Sequence, residues 1–102
     1  MEKYYKYNQG KRKKIFLKVS EEIPDVWKNL KKSFISFKEA YITDSKFGLT
    51  MVSISSGLSD IDQMNKTLQI YKAEEISEEE YLDALFKIDC IKQEIDRIFK
   101  EL

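Results

Sequence analysis

The sequence contains no histidine and a single cysteine, Cys90. Histidine is the commonest general base and metal ligand in proteins, so its absence excludes every catalytic scheme that activates a serine or cysteine with an imidazole. One cysteine excludes an internal disulfide and a thiolate metal cluster. We therefore expect a protein that is not an enzyme, has no catalytic residues and holds neither a metal nor a cofactor.

Glycine, proline and long hydrophobic runs are scarce as well. Three glycines cannot build the glycine-rich loops that bind dinucleotides or nucleotide phosphates, and neither motif occurs. The longest uncharged stretch, residues 47–59, is shorter than the roughly 20 apolar residues that span a bilayer. The first fourteen residues are polar and basic, unlike a secretory signal. We expect a cytoplasmic protein without membrane contact and without a small-molecule substrate.

The residues that are present have the composition of one soluble globular domain. The chain has 102 residues, of which 42% are hydrophobic and 35% are charged. A chain of this length buries roughly two-thirds of the surface that its unfolded form exposes, which is enough for a single core. We treat residues 1–102 as one domain, with a basic β-hairpin over residues 1–19 and a long heptad-patterned helix over residues 77–102.

The formal net charge of zero conceals two opposed halves. Residues 1–38 carry eleven Lys or Arg and four acids, whereas residues 39–102 carry seven Lys or Arg and fourteen acids. Such polarity has several uses: the halves can complement each other within one chain or between copies, or the basic part can face a polyanion. Solubility alone is the remaining explanation.

Turn residues and hydrophobic spacing predict a β-hairpin followed by a long helix. Residues 8–11 (NQGK) separate two short apolar and aromatic stretches, as in a hairpin. Ser20 and Pro24 suit the entry to a helix. Apolar side chains then recur three and four positions apart, which predicts an amphipathic helix whose aromatic face makes the largest contribution to the core. Those positions are Val26, Trp27, Leu30, Phe34, Phe37 and Tyr41.

The second half predicts one strand and two helices. Residues 49–55 (LTMVSIS) lie between glycines and are rich in β-branched side chains, which predicts a strand. Ser59 and Asp62 have the spacing of a helix cap, and apolar residues follow at helical intervals to Tyr71. Residues 67–72 suit a strand as well as the preferred helix. The predicted fold class is α+β, with an N-terminal β-hairpin, a long amphipathic helix, a third strand and two helices, in which helices cover a small antiparallel sheet.

The final helix carries the clearest local signals. Ser77 and Glu80 have the spacing of a capping box, and Ile76 and Tyr81 that of a hydrophobic staple. From Tyr81 onward, apolar residues alternate in 4–3 steps, the pattern of a coiled-coil seam. We expect this seam to bind another protein, with a second copy of the chain as the first candidate; the alternative is packing against the first helix of the same chain. The candidate interface residues are Ile88, Ile91, Ile95, Ile98, Phe99 and Leu102.

The N-terminal hairpin mixes basic side chains with tyrosines. Cations neutralise phosphates and exposed tyrosines stack on unpaired bases, so this mixture suits single-stranded nucleic acid. The alternative is a solvated hairpin edge, on which lysines prevent strand-to-strand aggregation. The candidate polyanion patch consists of Lys3, Tyr4, Tyr5, Lys6, Tyr7, Lys11, Arg12, Lys13 and Lys14.

These two surfaces give two candidate functions. The preferred one is a small non-enzymatic protein-binding module, of the adaptor or inhibitor type, that acts by occupying a surface and self-associates through its C-terminal helix. The alternative is a nucleic-acid-binding module that uses the N-terminal hairpin. Asp60 and Asp62 are not followed by the glycine and distal glutamate of a calcium-binding loop, and the glutamates at residues 78–80 are explained by helix capping, so neither cluster predicts a metal or catalytic site.

Overall fold

Two β-hairpins lie side by side and form most of an antiparallel sheet. The computed structural model describes residues 2–20, 34–48 and 50–101, and these form a small α+β domain with a five-stranded sheet and two helices. The strand order in the sheet is β4-β3-β2-β1-β5. The elements in chain order are β1 (Glu2–Gln9), β2 (Lys13–Ser20), β3 (Phe34–Asp44), β4 (Thr50–Asp60), α1 (Ile61–Ile70), β5 (Glu74–Ile76) and α2 (Glu78–Glu101).

The first hairpin confirms the prediction from the turn residues. β1 and β2 pair antiparallel without interruption from Glu2 opposite Ser20 to Gln9 opposite Lys13. Gly10 in the connecting turn has a φ of +76°, a conformation that glycine adopts without steric strain. Because side chains alternate along a strand, neighbouring residues of each strand face opposite sides of the sheet.

The predicted long helix is wrong where the structure describes it. Phe34, Phe37 and Tyr41 lie in β3, between β2 and β4. A central strand covered on both faces carries apolar residues on both, and this hides the period of two that marks a half-buried strand. The aromatic residues of β3 happen to be three and four positions apart. Ser20 ends β2, and the expectations for Pro24, Val26, Trp27 and Leu30 lie outside the described residues.

The strand and the helix that follow were both predicted. β4 covers the described part of the predicted stretch at residues 49–55 and continues to Asp60. α1 then starts one residue later than expected: the Asp62 N–H donates to Asp60 Oδ1 at 2.8 Å, so Asp60 caps the helix and the predicted cap at Ser59 is wrong. The last residues of α1 confirm the helical preference for residues 67–70, and Tyr71 and Lys72 form a turn.

A short fifth strand separates the two helices and was not predicted. β5 has three residues, of which two are glutamates, and it pairs with β1 so that Ile76 lies opposite Tyr4. The predicted start of α2 is confirmed, because the Glu80 N–H donates to Ser77 Oγ at 3.1 Å. Ile76 and Tyr81 are both buried in the same cluster, as the predicted staple requires.

Each face of the sheet is covered by one helix. The cluster under α2, which we call the α2-face cluster, consists of Tyr4, Phe16, Ala40, Ile76, Tyr81 and Ile88. The α1-face cluster consists of Tyr7, Ile15, Leu17, Val19, Ile35 and Met64. α2 has 24 residues, about 36 Å, and it contacts β1, β2, β3 and β4 in turn as it crosses the sheet. In the part of the chain that the structure describes, neither helix is apolar enough along its length to cross a membrane.

Candidate protein-binding surface

An apolar groove lies between the C-terminal turns of α2 and the beginning of β4. Its volume is about 530 Å³. Met51, Ile98 and Phe99 line it and remain 60%, 54% and 71% exposed. The full lining of this helix–strand groove is Thr50, Met51, Val52, Lys92, Ile95, Asp96, Ile98 and Phe99.

The path of α2 across the sheet explains why the groove is apolar and open. The seam of α2 is buried at its beginning, where Tyr81 and Ile88 are 1% and 0% exposed. Its middle is half-buried, and its last described apolar residues, Ile98 and Phe99, are exposed. β4 is the edge strand of the sheet, so the sheet ends before α2 does. The described strands therefore leave the last turns of the α2 seam uncovered.

The predicted interface residues therefore divide into two groups. Ile88 lies in the α2-face cluster and is unavailable to a partner in the folded chain. The alternative of intramolecular packing describes this first half of the seam, although the sheet takes the place of the expected first helix. Ile95, Ile98 and Phe99 line the helix–strand groove, Ile91 is half-buried beside them in sequence, and Leu102 lies outside the described residues.

The charged rim of the groove carries one residue of each sign. Lys92 and Asp96 are one helical turn apart, and both are exposed. Among the described residues neither takes part in an ion pair within 4.0 Å. The rim is therefore electrically balanced, and a partner that covers it needs no excess of either charge.

Two of the three tyrosines expected to stack on bases, Tyr4 and Tyr7, lie in the core. Tyr4 is 7% exposed and packs against Tyr81 with ring centroids 5.1 Å apart, while its hydroxyl donates to Glu2 Oε2 at 3.0 Å. Burial, and then the hydrogen bond to Glu2, raises the pKa of Tyr4 to about 12. Tyr7 is 9% exposed and stacks on Tyr71 at 5.3 Å. Neither ring can stack on a base in the folded protein, and Tyr5 is half-buried.

Lys6 is occupied by acids of the same chain. Its Nζ lies 2.9 Å from Glu80 Oε1 and 3.8 Å from Glu74 Oε2. The hydrogen bond to Glu80, followed by the charge of Glu74, raises the pKa of Lys6 above its ordinary value. In a complete capping box the Glu80 carboxylate would accept a hydrogen bond from the N–H of Ser77. Here that carboxylate binds Lys6 instead. This contact ties β1 to β5 and α2, and it removes one cation from the candidate patch.

The rest of the patch lies on strand ends and at the turn between β1 and β2. Lys3, Lys11, Arg12 and Lys14 are exposed, and Lys13 Nζ sits 4.1 Å from the centroid of the Tyr41 ring.

The turn between β3 and β4 is adjacent to this basic turn, because the Asp44 N–H donates to the Arg12 carbonyl at 3.0 Å. It presents Phe47, which is 80% exposed, with Lys46 Nζ 5.5 Å from the ring centroid. Sequence reasoning missed this aromatic residue. Its place between Lys46 and Gly48, directly after a polar stretch, is the signal that could have marked it as a loop residue.

The other polar residues considered in the sequence analysis lie on or at the ends of the two helices. Asp60 caps α1, and Glu78, Glu79 and Glu80 occupy the first turn of α2. Cys90 is a free, exposed thiol on α2. Within residues 2–20, 34–48 and 50–101, no three potential ligands among His, Cys, Asp and Glu come together as a metal site would require.

No model of a known protein family matches the chain, and no curated protein or solved structure is significantly similar to it. What the protein binds must therefore be inferred from its own surface.

Proposed function

We propose that the protein is a small non-enzymatic protein-binding module, of the adaptor or inhibitor type, which acts in the cytoplasm by occupying a surface. Its first partner is a second copy of the chain, bound through the helix–strand groove. The observation that carries this proposal is the convergence of three exposed apolar side chains, Met51, Ile98 and Phe99, from two elements on one groove. Contiguous apolar surface of this kind with a polar rim is typical of protein interaction sites.

The exposed apolar surface sets the expected strength of self-association. Complete burial of one large apolar side chain contributes about 1.5–3 kcal/mol, and the three side chains are 54% to 71% exposed. Covering them in both copies of a symmetric dimer thus contributes about 6–11 kcal/mol, and the loss of translational and rotational freedom opposes this with at least about 4 kcal/mol. We expect a dimer of modest affinity that dissociates on dilution.

The test is sedimentation over a concentration series that reaches about 100 μM, which detects association free energies of about −5.5 kcal/mol or stronger. Phe99→Asp and Ile98→Asp are expected to give a monomer, because each places a charge in the groove. Phe86→Asp is the matched control: Phe86 is 70% exposed against 71% for Phe99, lies on the same helix and does not line the groove. A wild-type chain that stays monomeric, or a control that dissociates equally, would refute the proposal.

Binding of single-stranded nucleic acid is the second candidate function. Its proposed site is the pair of adjacent turns between β1 and β2 and between β3 and β4, and not the tyrosines. It is supported by Phe47, an exposed aromatic ring beside Lys46, next to the turn that carries Lys11 and Arg12. Such a site should bind an oligonucleotide with an affinity that falls steeply as salt rises from about 50 mM to about 200 mM. Phe47→Ala should weaken binding through lost stacking, and absence of binding at about 50 mM salt would eliminate this function.

The same candidate makes a prediction for the basic turn. Replacement of four cations by serine should abolish oligonucleotide binding and shift the melting temperature by less than about 5 °C, because isolated surface charges contribute little to folding. A melting temperature many degrees lower would show that these cations are structural. The residues to replace are Lys11, Arg12, Lys13 and Lys14.

A further inference from the structure

The two edges of the sheet are protected very differently. At one edge, β5 has three residues, and two of them are glutamates. At the other, β4 has 11 residues, and from Thr50 to Ser59 it contains no charged residue and no proline. Natural sheets usually protect an edge with lysine, proline, a bulge or a very short strand, because an open row of N–H and C=O groups pairs readily with another chain.

β4 is also regular enough to act as a pairing template. It pairs with β3 in an unbroken register from Asp44 opposite Thr50 to Phe34 opposite Asp60, with no bulge along its length. Among the described residues no strand pairs with its outer side. At about 3.4 Å per residue its edge is roughly 37 Å long. In its middle, Ser55 and Ser56 are exposed, one on each face of the sheet.

The size of the groove calls for additional contact surface. Eight residues line the groove, whereas a stable interface uses about 20–30 residues on each side. Three of the lining residues, Thr50, Met51 and Val52, belong to β4 itself. The groove and the open edge are therefore one continuous surface, and a partner that fills the groove already lies against the edge.

We propose that β4 pairs antiparallel with β4 of a second copy, so that one sheet runs through both copies and the two helix–strand grooves are covered in the same contact. This inference rests on the proposed self-association through the groove and adds the β4 edge as a second part of the interface. Antiparallel pairing of identical strands has two-fold symmetry, which closes the assembly at two copies. The axis is perpendicular to the sheet, so both α2 helices lie on the same face of the continuous sheet.

The charges along this surface are compatible with a second copy as the occupant. A two-fold axis brings the residues closest to it near their own counterparts, so like charges at those positions repel each other. β4 contributes no charge between Thr50 and Ser59, and the groove rim contributes Lys92 and Asp96, one of each sign. A partner with a strongly charged strand would find no complementary charge on this edge.

Ser55→Lys is the test of strand pairing. The lysine stands opposite Glu39 of β3, which favours the folded monomer, while it places a charge on the edge that must stay solvated. We expect the dimer to weaken by at least about tenfold, with the melting temperature retained. Ser55→Thr is the matched control: it keeps the edge uncharged and should dimerise like the wild type.

Hydrogen exchange of the full chain distinguishes this inference from the proposed function. On dimerisation, about every second amide of residues 50–59 should gain protection, together with the C-terminal turns of α2. A dimer that survives Ser55→Lys, or whose protection is confined to α2, would overturn strand pairing and leave self-association through the groove intact. A wild-type monomer at about 100 μM would overturn both.

Discussion

Gly57 lies directly opposite Phe37 in the pairing of β3 with β4, and the phenylalanine ring covers the glycine. A Cβ at position 57 would stand 3.2 Å from Cζ and 3.3 Å from Cε1 of that ring. The Phe37 ring also packs against the α1-face cluster, and this contact holds the ring in place over Gly57. The missing side chain at Gly57 thus leaves the space in which the ring lies.

Gly57→Ala is expected to lower the free energy of unfolding by about 1 kcal/mol. The added methyl group overpacks the ring contact, and this outweighs the roughly 0.5–1 kcal/mol by which alanine is favoured over glycine within a strand. In a Phe37→Leu background the shorter side chain leaves room, and the same substitution should become neutral or stabilising. Urea denaturation of the four chains measures the coupling, and an equal loss in both backgrounds would contradict it.

The parts of the fold that could be predicted are those with strong local signals. The turn around Gly10, the uncharged run of β4 and the Ser77 cap each specify an element without reference to the rest of the chain. β3 could not be predicted in this way, because its two apolar faces are explained only by neighbours on both sides. β5 was missed for the same reason: Glu74–Ile76 is a strand because it pairs with β1.

The start of α1 offers a test of which residue caps the helix. Asp60→Ala should lower the free energy of unfolding by about 1 kcal/mol, because it leaves the Asp62 N–H without its 2.8 Å acceptor. Ser59→Ala is the matched control and should change it by less than about 0.5 kcal/mol, since the Ser59 hydroxyl donates to the Asp60 carbonyl and caps no amide. Thermal melts followed by circular dichroism compare the two, and a larger loss for Ser59→Ala would restore the cap predicted from sequence.

The candidate site was predictable in composition but not in extent. The 4–3 spacing of α2 marks an apolar seam, and it cannot indicate where the sheet beneath it ends. That limit is set by β4 as the edge strand: Ile88 is buried over the sheet in the α2-face cluster, whereas Ile98 and Phe99 line the groove beside β4 and are exposed. The burial of Tyr4 and Tyr7 likewise depends on helices that cover both faces of the first hairpin.

The buried tyrosines predict a loss of stability in alkali. Burial raises the pKa of Tyr7 from 10.0 to about 12, so between these pH values the unfolded chain releases a proton that the folded chain retains. The unfolded state then binds fewer protons, and the free energy of unfolding falls as pH rises, whereas below pH 10 this contribution is fully present.

Tyr7→Phe removes that ionisable group. The variant should lose less stability than the wild type above pH 10, by a difference that approaches about 2 kcal/mol near pH 12. Tyr4, whose pKa is also raised to about 12, accounts for part of the slope that remains. Urea titrations at a series of pH values measure the effect. Parallel curves for wild type and variant would contradict the assignment.

Cys90 provides a direct distance measurement on the proposed dimer. It is the single cysteine, it is exposed, and it lies outside the helix–strand groove, so a spin label attaches at one site without filling the interface. Along α2 it is about 13 Å from Phe99, so a dimer joined at the grooves places the two labels about 20–45 Å apart. Pulsed dipolar spectroscopy should detect that coupling at high concentration and lose it in Phe99→Asp, while Phe86→Asp retains it. A coupling that survives Phe99→Asp would move the contact to another part of the molecule.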